Sequence, residues 1–250
     1  MTKRESYRTI LLILVIAASL FHELAAYAQC DDNPAPDGLT WDFDEGGGDG
    51  FSLGDFVGGL FTPQLVKDTR KIRSYVRDGR FAELLRRCGD LRAVDGIFQK
   101  ALKVAEFNIA RALFLSMVGC LEHQNIQVDV PVVGAVGLPL TFEVDSLFQA
   151  RLKNLPRRLY SDSPSNEAGD KDKLQHFFGS AYLAYISESP EFARSVGNAV
   201  EWGEAKMIVG GADDPRDKRA NKQGEAFGHD LLYVNTLLPS DYLTLPVRDE

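Results

Sequence analysis

The sequence predicts a mainly α protein: a single helical domain with a small β-hairpin excursion. Three observations predict it. After residue 63, apolar residues recur at helical spacing through most of the chain. Glycines, prolines and capping residues divide that stretch into helix-sized pieces. Only one short region, 126–145, alternates apolar and polar residues as strands do. A chain of 250 residues with 44% hydrophobic content can bury one sizeable core.

Lys3, Arg4 and Arg8 precede the apolar run from Ile10 to Phe21, and Ala26-Tyr27-Ala28 offers an A-x-A cleavage site. This three-part pattern predicts that 1–28 is a secretory signal peptide, cleaved after Ala28, and that the mature chain is periplasmic or extracellular. The run falls short of the about 20 residues that a membrane span needs. Gln29 stands where lipidation of Cys30 would require a small residue. Residues 29–62 then read as an acidic Gly/Asp-rich linker, with eight acidic side chains and no basic one between 31 and 60. Such a segment buries too little apolar area to offset its ordering entropy. Its Asp42 to Leu53 stretch hints at a calcium loop, but Leu53 occupies the place of the bidentate Glu of an EF-hand.

The helical domain takes 63–250. Charge reverses at its start, with twelve basic and six acidic side chains from Phe61 to Arg111. This basic segment reads either as a peripheral contact with an anionic membrane or as a solvated helical face. The net charge of −8 argues against nucleic acid as a main partner. Gln64–Asp78 and Arg80–Cys88 read as short helices punctuated by Gly79 and Gly89. Asp95–His123 reads as one long helix with a stripe of Phe98, Leu102, Ala105, Ile109, Ala112, Met117 and Cys120. Cys88 and Cys120 read as a disulfide in an exported chain or as two buried thiols.

Ile126–Val130 and Leu140–Val144 alternate and predict the hairpin. Asp145–Asn154 follows as a helix that stops at Pro156. Asp170 is the expected N-cap of the next helix, which runs to about Ser187. Ser189-Pro190 starts another in the usual way, capping residue then proline, and Gly210-Gly211 ends it. The last helix is expected over Asp217–Asn235, with an irregular tail from Pro239.

The chemistry concentrates in these last three helices. At about 100° per residue, Asp172, His176 and Gly179 share one stripe, while Asp217, Asn221, Gly224 and Gly228 share another. Glycines four apart let a second backbone come close, which would carry those polar groups inside. Glu201 falls on a stripe with Gly197 and Ala205, and Glu204 lies about 60° away from it. Asp172, His176, Glu201, Asp217 and Asn221 are therefore the candidate catalytic residues, expected to meet in one cluster. The four carboxylates of Asp172, Glu201, Glu204 and Asp217 with the His176 imidazole would suit a divalent metal, whose expected ligands are His176, Glu201, Glu204 and Asp217. The competing reading is a structural polar network neutralised by Lys173 or Arg219.

Asp172-Lys173-x-x-His176-Phe177, Glu201-x-x-Glu204 and Asp217-x-x-Ala220-Asn221-x-x-Gly224-x-x-x-Gly228 together resemble the VanZ-like family and its soluble YfiM-like relatives. The resemblance covers about 170–235, and its closest local form is the YfiM-like one. It implies helices that share a polar site and an association with the cell envelope, but it does not name a reaction. VanZ-like members are membrane-embedded, whereas these helices are interrupted and charged. The sequence leaves two functional readings open. One is a binding or structural envelope protein that contacts an envelope component or small ligand. The other is a metal-dependent hydrolase acting on an envelope lipid or polymer.

Overall fold

A computed structural model describes residues 63–130, 134–139, 141, 143–195, 197–198 and 214–243. The expected signal peptide, the acidic linker, Cys30, Glu201, Glu204 and the tail beyond 243 lie outside the described residues. The described chain is mainly helical. Its elements are α1 (Pro63–Arg77), α2 (Gly79–Val104), α3 (Ile109–Gly119), β1 (Asn125–Val130), β2 (Gly134–Pro139), α4 (Asp145–Asn154), α5 (Lys171–Ser187), α6 (Pro215–Asp230) and α7 (Ser240–Leu243). A helical segment also begins at residue 190 and is described to 198 apart from position 196.

α1 opens with Pro63 at its first position, where no N–H is needed. Its Ile72, Tyr75 and Val76 fall at i, i+3 and i+4 and are all buried. The Asp78 carboxylate accepts the Arg80 N–H at 2.8 Å and so caps α2. Gly89 punctuates α2 as expected: its φ of 83° and ψ of 175° are not helical, and two helical pieces meet there at a kink that a side-chain-bearing residue would rarely adopt. Beyond the kink, Val94, Ile97, Phe98 and Ala101 turn one apolar face inward.

The single long helix expected over Asp95–His123 is corrected to two. The chain breaks between Val104 and Ile109, where Glu106 and Phe107 both take positive φ values. Asn108 drives the restart, because its side chain accepts the Arg111 N–H at 2.9 Å. Its capping bond competed with an apolar stripe that runs on unbroken through Ala105 and Ile109.

β1 and β2 pair antiparallel, Asn125 opposite Pro139 and Val130 opposite Gly134. The second strand expected over 140–144 is not where pairing occurs. Thr141 and Glu143 instead turn inward as partners for arginines. Arg73 donates to Thr141 Oγ1 at 2.8 Å. Glu143 pairs with Arg77 and, at 2.9 Å, with Arg151. Arg151 also donates to the Gly119 and Leu121 carbonyls at 3.1 and 2.7 Å, closing the carboxyl end of α3. This network ties α1, α3 and α4 together.

The core is centred on aromatic rings from four helices. Phe98 of α2 lies 5.3 Å from Phe227 of α6, which stacks on Phe177 of α5 at 5.4 Å and meets Tyr242 of α7 at 5.3 Å. α7 lies in what the sequence predicts as an irregular tail. The last long helix starts earlier than expected, on the Asp214 cap with Pro215 first, and ends at Asp230 rather than Asn235. The expected Cys88–Cys120 bridge is also corrected. Cys120 is free and buried, with its thiol pushed up to about 12 by burial, while the disulfide partner of Cys88 is outside the described residues.

Candidate functional site

α5 and α6 run side by side in the same direction. A Cβ built on Gly224 would lie 2.1 Å from the Phe177 carbonyl oxygen, and one on Gly228 would lie 2.1 Å from that of Ala181. The helices thus touch backbone to backbone, as two glycines four apart permit. Parallel packing also brings the amino-terminal ends of both helices to one pole. Each end carries partial positive charge from its unpaired N–H groups. The carboxylates gather there.

Lys173 stands at the centre of that pole, its side chain only 1% exposed. Its ammonium lies 2.6 Å from Asp172, 2.9 Å from Asp214 and 2.6 Å from Asp217. Burial pulls the ammonium down, yet the hydrogen bonds it donates to the three carboxylates outweigh it and the net shift is upward. Asp214 is 25% exposed. Its burial would raise the carboxyl, but Arg216 and Lys173 together hold it well below the usual range. Asp217 goes the other way, raised by burial against the opposing charges of His176 and Lys173. One cluster therefore sets two carboxyl groups apart.

His176 Nε2 lies 3.3 Å from Asp217 Oδ1, and its side chain is 15% exposed. One turn deeper, Ser180 Oγ donates to Asn221 Oδ1 at 2.8 Å, with both residues buried. Gly197 approaches this bond from the third helical segment. A Cβ there would lie 3.5 Å from Asn221 Nδ2 and 4.0 Å from Ser180 Oγ. Asp172, His176, Asp217 and Asn221 thus fall along one seam, with Asn221 a turn below the charged group. Glu201 and Glu204 are outside the described residues.

Sequence reasoning missed two contributors. Asp214 lay in what was expected to be a loop, although Asp-Pro before a helical run is a cap signal. Asp170 occupies the N-cap position of α5 but makes no side-chain cap. Its carboxylate instead pairs with Arg216 at 2.6 Å and accepts from Ser163 and the Leu159 N–H. Arg219, weighed as a neutraliser of the cluster, pairs with Asp162 at 2.7 Å and covers the Tyr160 ring. Gly169, at φ of 60°, lets the loop pass the Arg157 carbonyl.

Among the described residues, no three His, Cys, Asp or Glu side chains group so as to hold a metal ion. The described carboxylates converge on an ammonium instead. The arrangement sets an imidazole beside a buried carboxyl group and fixes charge at the helix ends. In the basic segment, Lys71 and Arg111 pair with Asp68, Arg86 and Arg87 with Glu83, and Arg80 with Asp78. Among the described residues no helix is long and apolar enough to cross a membrane. No family model, curated protein or solved structure matches the chain.

Proposed function

We propose that this chain is an exported, cell-envelope-associated protein whose polar seam serves binding and structure, taking an envelope component or small ligand. The observation that carries the reading is the place of Lys173. Its ammonium sits among Asp172, Asp214 and Asp217, so the protein itself supplies the positive charge that a metal would bring. Further support comes from the charged, apolar and A-x-A pattern of residues 1–28 and from the resemblance of 170–235 to VanZ-like and YfiM-like proteins.

The test uses full-length protein purified without chelators. The expected outcome is an N-terminus at Gln29 by mass spectrometry and no stoichiometric divalent metal by elemental analysis. His176→Ala should then lower the melting temperature with no change in metal content. Stoichiometric metal that is lost with His176→Ala would overturn the reading and establish the metal-dependent site. Protein retained in the cytoplasm with Met1 intact would remove the envelope assignment.

A further inference from the structure

Away from the seam, α7 is fastened to the bundle through one buried acid. Asp95 of α2 is fully buried, and both its oxygens face the start of α7. Ser240 donates its backbone N–H to Oδ1 at 2.8 Å and its hydroxyl to Oδ2 at 2.7 Å. The charges facing Asp95 offset it only in part. Arg92, one turn back on α2, comes no nearer than 3.6 Å, and Asp241 of α7 adds a second negative charge. On the α6 side, Asp230 accepts the Tyr242 hydroxyl at 2.7 Å and lies 3.3 Å from His229 Nδ1. The strap buries Tyr242 and Leu243 and sets Tyr242 against Phe227, on the helix that carries Asp217 and Asn221.

We infer that Asp95 and Ser240 form a proton-operated latch, which holds the α7 strap most firmly when Asp95 is protonated and loosens it on ionisation. A protonated carboxyl still accepts the Ser240 N–H and can donate to the Ser240 hydroxyl, so protonation removes the buried charge while keeping both bonds. Ionisation leaves a charge in the interior that lifting the strap would hydrate. Burial is also what raises the Asp95 carboxyl to about 6, against the lowering effects of Ser240 and Arg92. The sign follows. With the fastened value above the released value, firmness is complete below the ordinary carboxylate range and declines as pH rises through about 6. The difference of about two units corresponds to an about 100-fold change in the release equilibrium.

Amide hydrogen exchange on the full chain, corrected for the intrinsic pH dependence of exchange, tests this. The Ser240 and Leu243 amides should lose about 25-fold in protection between about pH 4.5 and about pH 7.5, the rest of the change lying below that window. Asp95→Asn, which mimics the protonated acid, should abolish that slope. Ser240→Ala should lower protection throughout yet keep the slope. Equal protection at both pH values, or an undiminished slope in Asp95→Asn, overturns the latch. So does protection of the strap identical to that of the Ile97–Ala101 amides in α2, since the strap would then open only with global unfolding.

Discussion

Two charged networks hold this molecule together, and they are built on opposite plans. At the α1–α3–α4 junction a single carboxylate, Glu143, lies between two arginines. At the α5–α6 pole a single ammonium, Lys173, lies among three carboxylates. The first is buried at its centre: the Arg151 and Glu143 side chains have no exposure, and Arg151 Nη1 donates to the carbonyls of Gly119 and Leu121 at the end of α3. The second reaches water at its rim, where the Asp172 side chain is 35% exposed. The difference teaches where the chain can hold surplus charge. A cation surplus is absorbed by helix carbonyls in the interior, whereas a carboxylate surplus is placed where two helix N-termini and solvent share it.

The comparison breaks most visibly at Glu143. Glu143→Leu strands a fully buried guanidinium, so equilibrium urea unfolding should show a loss of about 3–5 kcal/mol. A loss no larger than that of an exposed pair would mean that Arg151 finds its balance elsewhere. Next comes the contact that creates the second network. Gly228→Leu must push its side chain into the Ala181 carbonyl. It should cost about 3 kcal/mol by the same measurement, and it should part the helix ends that Lys173 joins. Unchanged stability would show that α5 and α6 do not meet backbone to backbone.

The smallest effect is expected at Lys173 itself. Lys173→Met should cost only about 1–2 kcal/mol at neutral pH, because two of the three carboxylates can turn to water. It should also change the pH response. In the parent protein the depressed Asp214 carboxyl stabilises the fold above the ordinary carboxylate range, and that contribution is lost as pH falls toward its folded value. Without the ammonium the carboxylates repel one another and protonation relieves them. The gap in melting temperature between variant and parent should therefore narrow from about pH 7 to about pH 4. A gap that widens on acidification would place the balancing charge on Arg216 instead.

What the sequence made legible was largely periodic. The shared stripes of Asp172 with His176, and of Asp217 with Asn221, Gly224 and Gly228, needed only the helical repeat to be read. The meaning of Gly224 and Gly228 as points of close approach followed from their missing side chains. Local competition was harder to see. The restart at Asn108 lay inside an apolar stripe that favours one helix, and only the cap bond to Arg111 decides for two. Thr141 and Glu143 alternate as a strand would, but they alternate because arginines from α1 and α4 draw them inward. Those arginines are distant in sequence, so no local pattern announces them. Cysteine pairing was illegible for the same reason, since helix periodicity does not say which helices adjoin.

The shared direction of α5 and α6 bears on how the molecule reaches its folded state. Neighbouring helices joined by a tight turn can zip together as soon as they form, but a parallel pair cannot. After Ser187 the chain must return the length of α5, about 25 Å, before Pro215 can begin beside Lys171. That closure costs chain entropy before any contact across the glycines can repay it. The seam is thus a product of the slow, non-local part of folding. A nascent chain still lacking residues after 214 holds Lys173 without Asp217 and Phe177 without Phe227, leaving an ammonium and an aromatic face for a chaperone to cover.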